Sequence, residues 1–138
     1  MITFNNYNNT TSYGSVTRNG AGVLFNTTSD GRLKPDRRPI KNARKILDGL
    51  RVYDHGILGS STRGVGVVAQ EAHEVLPQMI TVGDRSNAAP GTPGFKSWQA
   101  DYSKAVPHLI AGAQSLFTKA DEHDARLCII ERRLGISA

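Results

Sequence analysis

The last third of the chain carries a hydrophobic repeat that restricts its structure more than any other segment does. Between Val106 and Leu134, apolar residues recur at alternating spacings of three and four, the heptad pattern of a coiled-coil helix. The seam positions are Val106, Leu109, Ala113, Leu116, Ala120, His123, Leu127, Ile130 and Leu134. We therefore predict a long C-terminal helix over about residues 102–135.

Charges beside this seam favour the association of parallel copies. With Leu109 at heptad position d, Lys119 and Arg126 fall at position g. Asp124 and Glu131 then fall at position e, each five residues after its basic partner. Opposite charges at g and e are typical of parallel, in-register helices. The alternative is an amphipathic helix that packs on its own domain.

Histidine and cysteine provide no pattern typical of a metal site. His123 occupies a seam position, where it either forms a polar layer that fixes the register or turns toward solvent. The other three histidines lack metal-ligand spacing, and the single cysteine, Cys128, excludes a disulfide within the chain. The sequence predicts no metal ion and no cofactor.

The first 28 residues have a different composition. They are rich in Asn, Thr, Ser and Gly, with short β-branched runs separated by turn signals such as Asn19-Gly20, which predicts strands and hairpins. Hydrophobic residues make up only 38% of the 138-residue chain, so we expect part of the burial to come from other chains. We interpret residues 1–28 as the end of an upstream β-structured body and residues 29–138 as a separate domain.

The middle of the chain alternates short predicted helices and strands. Pro39, followed by apolar residues at helical spacing, predicts a helix over about 39–50. The other predicted elements are a hairpin tip or loop at 56–64, a buried strand at 65–69, a helix at 70–76 ended by Pro77, a strand at 79–82 and a loop at 84–97. We therefore expect an α+β fold, mainly helical, with small β elements.

A serine and a lysine stand five residues apart where the β-rich segment ends, in the run Ser-Asp-Gly-Arg-Leu-Lys at 29–34. A serine hydroxyl becomes a nucleophile when a base takes its proton. A lysine can be that base where burial and neighbouring positive charge favour its neutral form. The neighbouring positive charges here are Arg32, Arg37 and Arg38.

Three short motifs and the terminal heptads together resemble a known family. The motifs are Ser-Asp-x-Arg-x-Lys at 29–34, Ala-Gln-Glu at 69–71 and Asp-Tyr-Ser at 101–103. In this order they resemble the C-terminal intramolecular chaperone and self-cleaving peptidase domain of bacteriophage tail spikes, tail fibres and endosialidases. The resemblance covers roughly residues 20–138. The chain departs from it in Pro35 and in an additional Pro/Gly loop near 84–97.

The resemblance implies a chaperone that acts in two steps. Residues 29–138 would form a parallel trimeric coiled coil that makes the upstream fibre or spike fold in register, and would then cut themselves off. Ser29 would be the nucleophile and Lys34 the general base, with Asp30 and Arg32 shaping the site. Cleavage would fall immediately beside Ser29, at either of its peptide bonds.

The implied partners are further copies of this chain, as a homotrimer, and the fibre polypeptide upstream of it. Neither a membrane nor a cofactor is implied. Assembly would take place in the host cytoplasm, with the upstream part kept in the virion tail and the chaperone domain released after cleavage.

Two other classes of function stay open. The chain could be a non-enzymatic trimeric receptor-binding tip, in which Ser29 would be replaceable without effect. It could instead bind nucleic acid through the eight basic residues between Arg32 and Arg51, which face only two acidic ones. No base-stacking aromatic residues lie among them, so nucleic-acid binding is the least favoured hypothesis.

Overall fold

The computed structural model describes residues 1–5, 7–8, 10, 12–84 and 88–136. The chain divides into two compact units, Met1–Pro39 and Ile40–Ala138. Within the described residues, the fold is α+β, with three small antiparallel sheets and one long C-terminal helix. The predicted α+β class and the long terminal helix are confirmed.

The first unit contains a three-stranded antiparallel sheet in chain order. Its strands are β1 (Ile2–Asn5), β2 (Ser12–Asn19) and β3 (Gly22–Thr27). A two-residue turn joins β2 to β3, and it begins at Gly20, whose φ of 57° glycine adopts without steric cost. The predicted strands and the hairpin signal at Asn19-Gly20 are therefore confirmed.

Among the described residues of the first unit, no second layer covers this sheet. Phe25 is 82% exposed, and no described residue of the first unit is buried. Small sheets gain stability mainly from packing of an apolar face. The unit therefore has unused apolar surface that other chains could cover.

The second unit combines three helices with two short antiparallel strand pairs. Its elements are α1 (Ala43–Gly49), β4 (Tyr53–Gly56), β5 (Arg63–Gly66), α2 (Ala69–Val75), β6 (Ile80–Thr81), β7 (Gln99–Ala100) and α3 (Val106–Leu134). β4 pairs with β5, and β6 pairs with β7. Its buried apolar side chains are Ala43, Ala72, Leu76 and Met79.

Two predicted elements differ from the structure. The helix predicted over about 39–50 begins only at Ala43, with Asn42 at its N-cap position, and Ile40 lies outside it at 40% exposure. The buried strand predicted at 65–69 is wrong. The strand is β5, Arg63–Gly66, and it is covered on one side only. Gly66 is buried beside Tyr102, whereas Val65 is 76% exposed.

The other predicted elements agree more closely. The segment 56–64 contains the connection of the β4–β5 hairpin, residues 57–62, and the paired ends of both strands. Pro77 follows Leu76, the C-cap residue of α2. The strand predicted at 79–82 is shorter, since only β6 is paired. The described part of the predicted loop at 84–97 has no helix or strand, and its residues 85–87 lie outside the described part of the chain.

Helix α3 meets its own domain only near its start. His108 and Gly112 are buried, and a Cβ at position 112 would lie 2.7 Å from Leu47 Cδ1 of α1. From Gln114 onward, every described residue of the helix is exposed. Four residues in a 3₁₀ turn, Tyr102–Ala105, precede the helix, and Gly135 ends it with a φ of 68°.

Candidate active site

A short 3₁₀ turn follows β3 and carries the first motif. The last bond of the sheet runs from the Thr28 amide to the Tyr13 carbonyl, at 3.0 Å. The turn itself spans Gly31–Leu33 and is closed by the Lys34 amide, which donates to the Gly31 carbonyl at 3.2 Å. Because such a turn reverses the chain within a few residues, the side chains at its two ends can approach each other.

Ser29 and Lys34 are in direct contact across this turn. The Lys34 ammonium donates a hydrogen bond of 2.6 Å to the Ser29 hydroxyl. Lys34 has φ −125° and ψ 72°, outside the helical region, as expected for a residue before proline. Pro35 is therefore compatible with a lysine side chain that reaches back to the serine.

Asp30 and Arg32 hold the turn in shape. The Asp30 carboxylate accepts a bond of 2.8 Å from the Arg32 amide, which caps the turn. Both of its oxygens also accept hydrogen bonds from the Arg32 guanidinium, the shortest at 2.6 Å. These bonds from Arg32, the side-chain bond first, lower the pKa of Asp30. Because Arg32 occupies the carboxylate, Asp30 is poorly placed to act as a base for Ser29.

The Ser29–Lys34 pair is open to solvent in the single chain. Both residues are exposed. In this contact the lysine donates, whereas a general base must accept the hydroxyl proton through a neutral amine. Removing water from around an amine favours its neutral form. The arrangement therefore has the geometry for proton transfer, and burial is the change that would supply the required protonation state.

The other two motifs meet in the second unit. The Tyr102 hydroxyl accepts a bond of 3.1 Å from the amide of Val67, just before α2. The Asp101 carboxylate caps the 3₁₀ turn by accepting bonds from the Ser103 amide at 3.0 Å and the Ser103 hydroxyl at 2.6 Å. Hydrogen bonds, first of all the one from the Ser103 hydroxyl, lower the pKa of Asp101. These residues therefore build the scaffold of the second unit.

Sequence reasoning missed three contacts of the second unit. Glu71, in the Ala-Gln-Glu motif, accepts a bond of 2.8 Å from the Tyr53 hydroxyl and so joins α2 to β4. The Trp98 indole donates a hydrogen bond of 2.8 Å to the Asp84 carbonyl. Its ring also packs edge-on against the His73 ring, with 5.6 Å between the ring centroids. The only sequence signal for the latter contacts is that Trp98 is the single tryptophan of the chain.

The basic stretch between Arg32 and Arg51 is partly neutralised. Three of its arginines pair with aspartates, namely Arg32 with Asp30, Arg38 with Asp36 and Arg44 with Asp48. Among the described residues, no group of three or more His, Cys, Asp or Glu side chains could hold a metal ion. No helix in the described ranges is long and apolar enough to cross a membrane.

The matching family model begins at the serine of this site. Residues 29–81 match the Peptidase_S74 family, described as chaperone of endosialidase. The matched segment includes the Ser-Asp-x-Arg-x-Lys and Ala-Gln-Glu motifs, while the Asp-Tyr-Ser motif and α3 follow it. No curated protein matches the chain.

Proposed function

Since residues 29–81 belong to the Peptidase_S74 family of endosialidase chaperones, we propose that this chain is an intramolecular chaperone that cleaves itself beside Ser29. It would trimerise through α3, make an upstream fibre or spike fold in register, and then separate from it. Assembly would occur in the host cytoplasm, and the upstream part would enter the virion tail. The 2.6 Å contact between Lys34 and Ser29 is the observation that carries the catalytic part of the proposal.

The proposed reaction uses serine and lysine alone, with water as the co-reactant. The Ser29 Oγ forms a bond to a neighbouring peptide carbonyl carbon, and the Lys34 amine takes the hydroxyl proton. Backbone amides stabilise the resulting oxyanion. The C–N bond then breaks as the leaving nitrogen takes the proton from Lys34, which leaves an ester on Ser29. Water hydrolyses this ester and restores the hydroxyl.

Two peptide bonds compete as the site of cleavage. Attack on the Thr28 carbonyl passes through an unstrained five-membered ring. The junction of Ser29 with Asp30 requires a less direct approach. The masses of the two fragments distinguish the bonds, because Ser29 stays with the larger fragment in the first case and with the smaller one in the second.

Exposure of the pair supports a link between cleavage and assembly. In a single chain, water surrounds both side chains of the Ser29–Lys34 pair. Burial between copies would favour the neutral amine and would strengthen every electrostatic interaction in the site. We infer that cutting waits until the copies have assembled.

The open seam of α3 supports self-association. His108 and Gly112 face the helix's own domain and fall at heptad positions c and g. Ala113 is half-buried, but the other a and d positions are more open, with Val106 47% and Leu109 54% exposed. An apolar seam of this length, interrupted by His123, is typical of helices that pair with copies of themselves.

A terminal coiled coil offers a physical route to folding a β-structured fibre. Contacts between the chains of such a fibre are distant in sequence, so finding the register is slow. Joining the chains at one end raises their effective concentration and makes the search local. Cleavage then removes the clamp, so the fibre is protected by slow unfolding and not by an equilibrium with its free chains.

Expression of the chain with two point variants tests the proposal. We expect mass spectrometry and denaturing gels to show two fragments for the wild type and only intact chain for Ser29→Ala and Lys34→Ala. Ser61→Ala and Lys41→Ala are matched controls, because both residues are exposed and form no side-chain hydrogen bond with any described residue. An uncut wild-type chain in an assembled state would contradict self-cleavage and would favour the receptor-binding tip.

A further inference from the structure

Three arginines lie close in sequence to the Ser29–Lys34 pair. Two of them form ion pairs with aspartates among the described residues, and the third does not. Arg32 forms a two-pronged ion pair with Asp30, with a shortest contact of 2.6 Å. Arg38 forms the same kind of pair with Asp36, at 2.8 and 3.1 Å. Opposite charges this close largely cancel each other's potential at a distance. These two arginines therefore add little net positive potential at Lys34.

Arg37 has no such compensation. Its side chain forms no hydrogen bond or ion pair with any residue in the described part of the chain. Its guanidinium lies over the backbone of the active-site turn, because a Cβ built on Gly31 would meet Arg37 Nη1 at 3.4 Å. The absence of a side chain at Gly31 thus permits this approach.

The backbone between Lys34 and Arg37 explains this position. Asp36 is the only residue other than glycine in the described ranges with a positive φ, at 53°. A left-handed residue bends the chain sharply, and aspartate tolerates this conformation better than most side chains. The ion pair with Arg38 holds Asp36 in place. The bend returns the following residue, Arg37, toward the turn.

We propose that Arg37 is a positioning residue for self-cleavage: once assembly excludes water from the turn, its uncompensated charge favours the neutral amine of Lys34 and so enables it to accept the Ser29 proton. This inference rests on the proposed function. The other charged groups around the turn are Asp30, Arg32, Asp36 and Arg38, and all four are paired with one another. Within the described part of the chain, the Lys34 side chain forms a hydrogen bond only with the uncharged Ser29 hydroxyl.

Assembly would allow the charge of Arg37 to act on Lys34. Arg37 and Lys34 are exposed in the single chain, where water and salt screen their interaction. When neighbouring copies exclude water, the same two charges repel more strongly, and the charged form of the lysine becomes less favourable. Arg37 therefore couples the protonation state of Lys34 to assembly.

The test compares self-cleavage rates of Arg37→Gln, Arg37→Lys and wild type across a pH series. We expect Arg37→Gln to move the acid limb of the pH–rate profile to higher pH and to slow cleavage about three- to tenfold near neutral pH. Arg37→Lys keeps the charge and should restore most of the rate. Light scattering on each variant in a Ser29→Ala background checks that assembly is unchanged.

Arg18→Gln is the control for net charge. Arg18 lies beside the turn of the β2–β3 hairpin, opposite Val23 in register. Ser29 lies six positions after Val23, which is about 20 Å of extended chain. This distance exceeds the Debye length of about 8–10 Å at moderate salt, so the profile should not move.

Four results would overturn the inference. An unchanged profile in Arg37→Gln would show that its charge is not used. An equal shift in Arg18→Gln would reduce the effect to net charge. A uniform loss of rate that lysine does not restore would mean a purely structural role. A wild-type chain that assembles but never cuts would overturn the proposed function and the inference with it, whereas the first three results leave the proposed function standing.

Discussion

Aspartates placed two residues before a backbone donor organise both turns that carry motifs. Asp30 accepts the Arg32 amide in the first unit, and Asp101 accepts the Ser103 amide in the second. Each carboxylate also accepts a hydrogen bond from the side chain of the residue whose amide it binds, so that each turn is held by two kinds of bond. Short polar side chains at the start of a helical turn are the usual way to satisfy its free amides.

Replacing Asp101 by alanine tests this role in the second unit. We expect the free energy of unfolding to fall by about 1 kcal/mol near neutral pH, because the cap is lost. Hydrogen bonds, chiefly from the Ser103 hydroxyl, hold the pKa of Asp101 below its ordinary value of 3.8. The stabilisation is therefore complete above that value and is lost as the pH falls through the lowered pKa.

Urea unfolding of wild type and Asp101→Ala, followed from pH 7 downward, measures this difference. The gap between the two chains should be constant near neutral pH and should narrow below about pH 3.8. Asp121→Ala is the control, since Asp121 is exposed and has no hydrogen bond or ion pair with another described residue. Equal stability of wild type and Asp101→Ala at pH 7 would refute the capping role.

Sequence reasoning reaches some of these residues and not others. The pattern Asp-x-Ser just before a helix is a recognisable start signal, so the cap at Asp101 could have been predicted. The sequence could not have predicted that Arg32 and Arg38 form ion pairs while Arg37 forms none with the described residues. This difference depends on the left-handed backbone of Asp36, and no propensity at the sequence level requires that conformation of an aspartate.

At the scale of elements, α3 has one side that packs on its own domain near the helix start and an apolar seam that is largely exposed. Its apolar spacing predicts the helix, and the structure confirms it. The side that meets its own domain could not be predicted, because His108 and Gly112 add no apolar signal to the pattern. Gly112 is instead needed for close approach, since a Cβ there would meet Leu47. Most of the apolar seam stays exposed in the single chain.

A charge placed on the seam tests what the open face does. Leu116 is 68% exposed at position d of the single chain. If copies bury it, each leucine contributes about 1.5–3 kcal/mol to association, and Leu116→Asp should weaken association by tenfold or more. Light scattering at a concentration where wild type is assembled should then show single chains.

Gln114→Asp is the matched control for this variant. Gln114 is exposed on the same helix but falls at heptad position b, away from the seam. We expect it to assemble and to cut like the wild type. Leu116→Asp should also stay uncut if, as we propose, cleavage waits for assembly. Full cleavage of Leu116→Asp as a single chain would contradict that coupling.

The burial of a strand could not be predicted from its own sequence. The apolar run at 65–69 reads as a buried strand because Val, Gly and Ala are common in cores. In the structure Val65 is mostly exposed, whereas the neighbouring Gly66 is buried beside Tyr102. Burial depends on what packs against an element, and a local pattern does not contain that information.

At the scale of the whole molecule, the chain has little core for its length. Only four apolar residues are buried among those described, and all of them lie in the second unit. A chain of 138 residues normally hides a larger share of its apolar surface when it folds alone. The lean composition predicted this shortage, and association between copies is the most direct way to offset it.

Native mass spectrometry of the freshly purified wild-type chain tests the central claim most directly. A single spectrum reports how many copies associate and whether each is cut beside Ser29. We predict an assembly of three chains, each lacking the segment before or through Ser29, and an uncut trimer of three times 14.9 kDa for Ser29→Ala. A single intact species of 14.9 kDa for the wild type, at every concentration tried, would contradict the account.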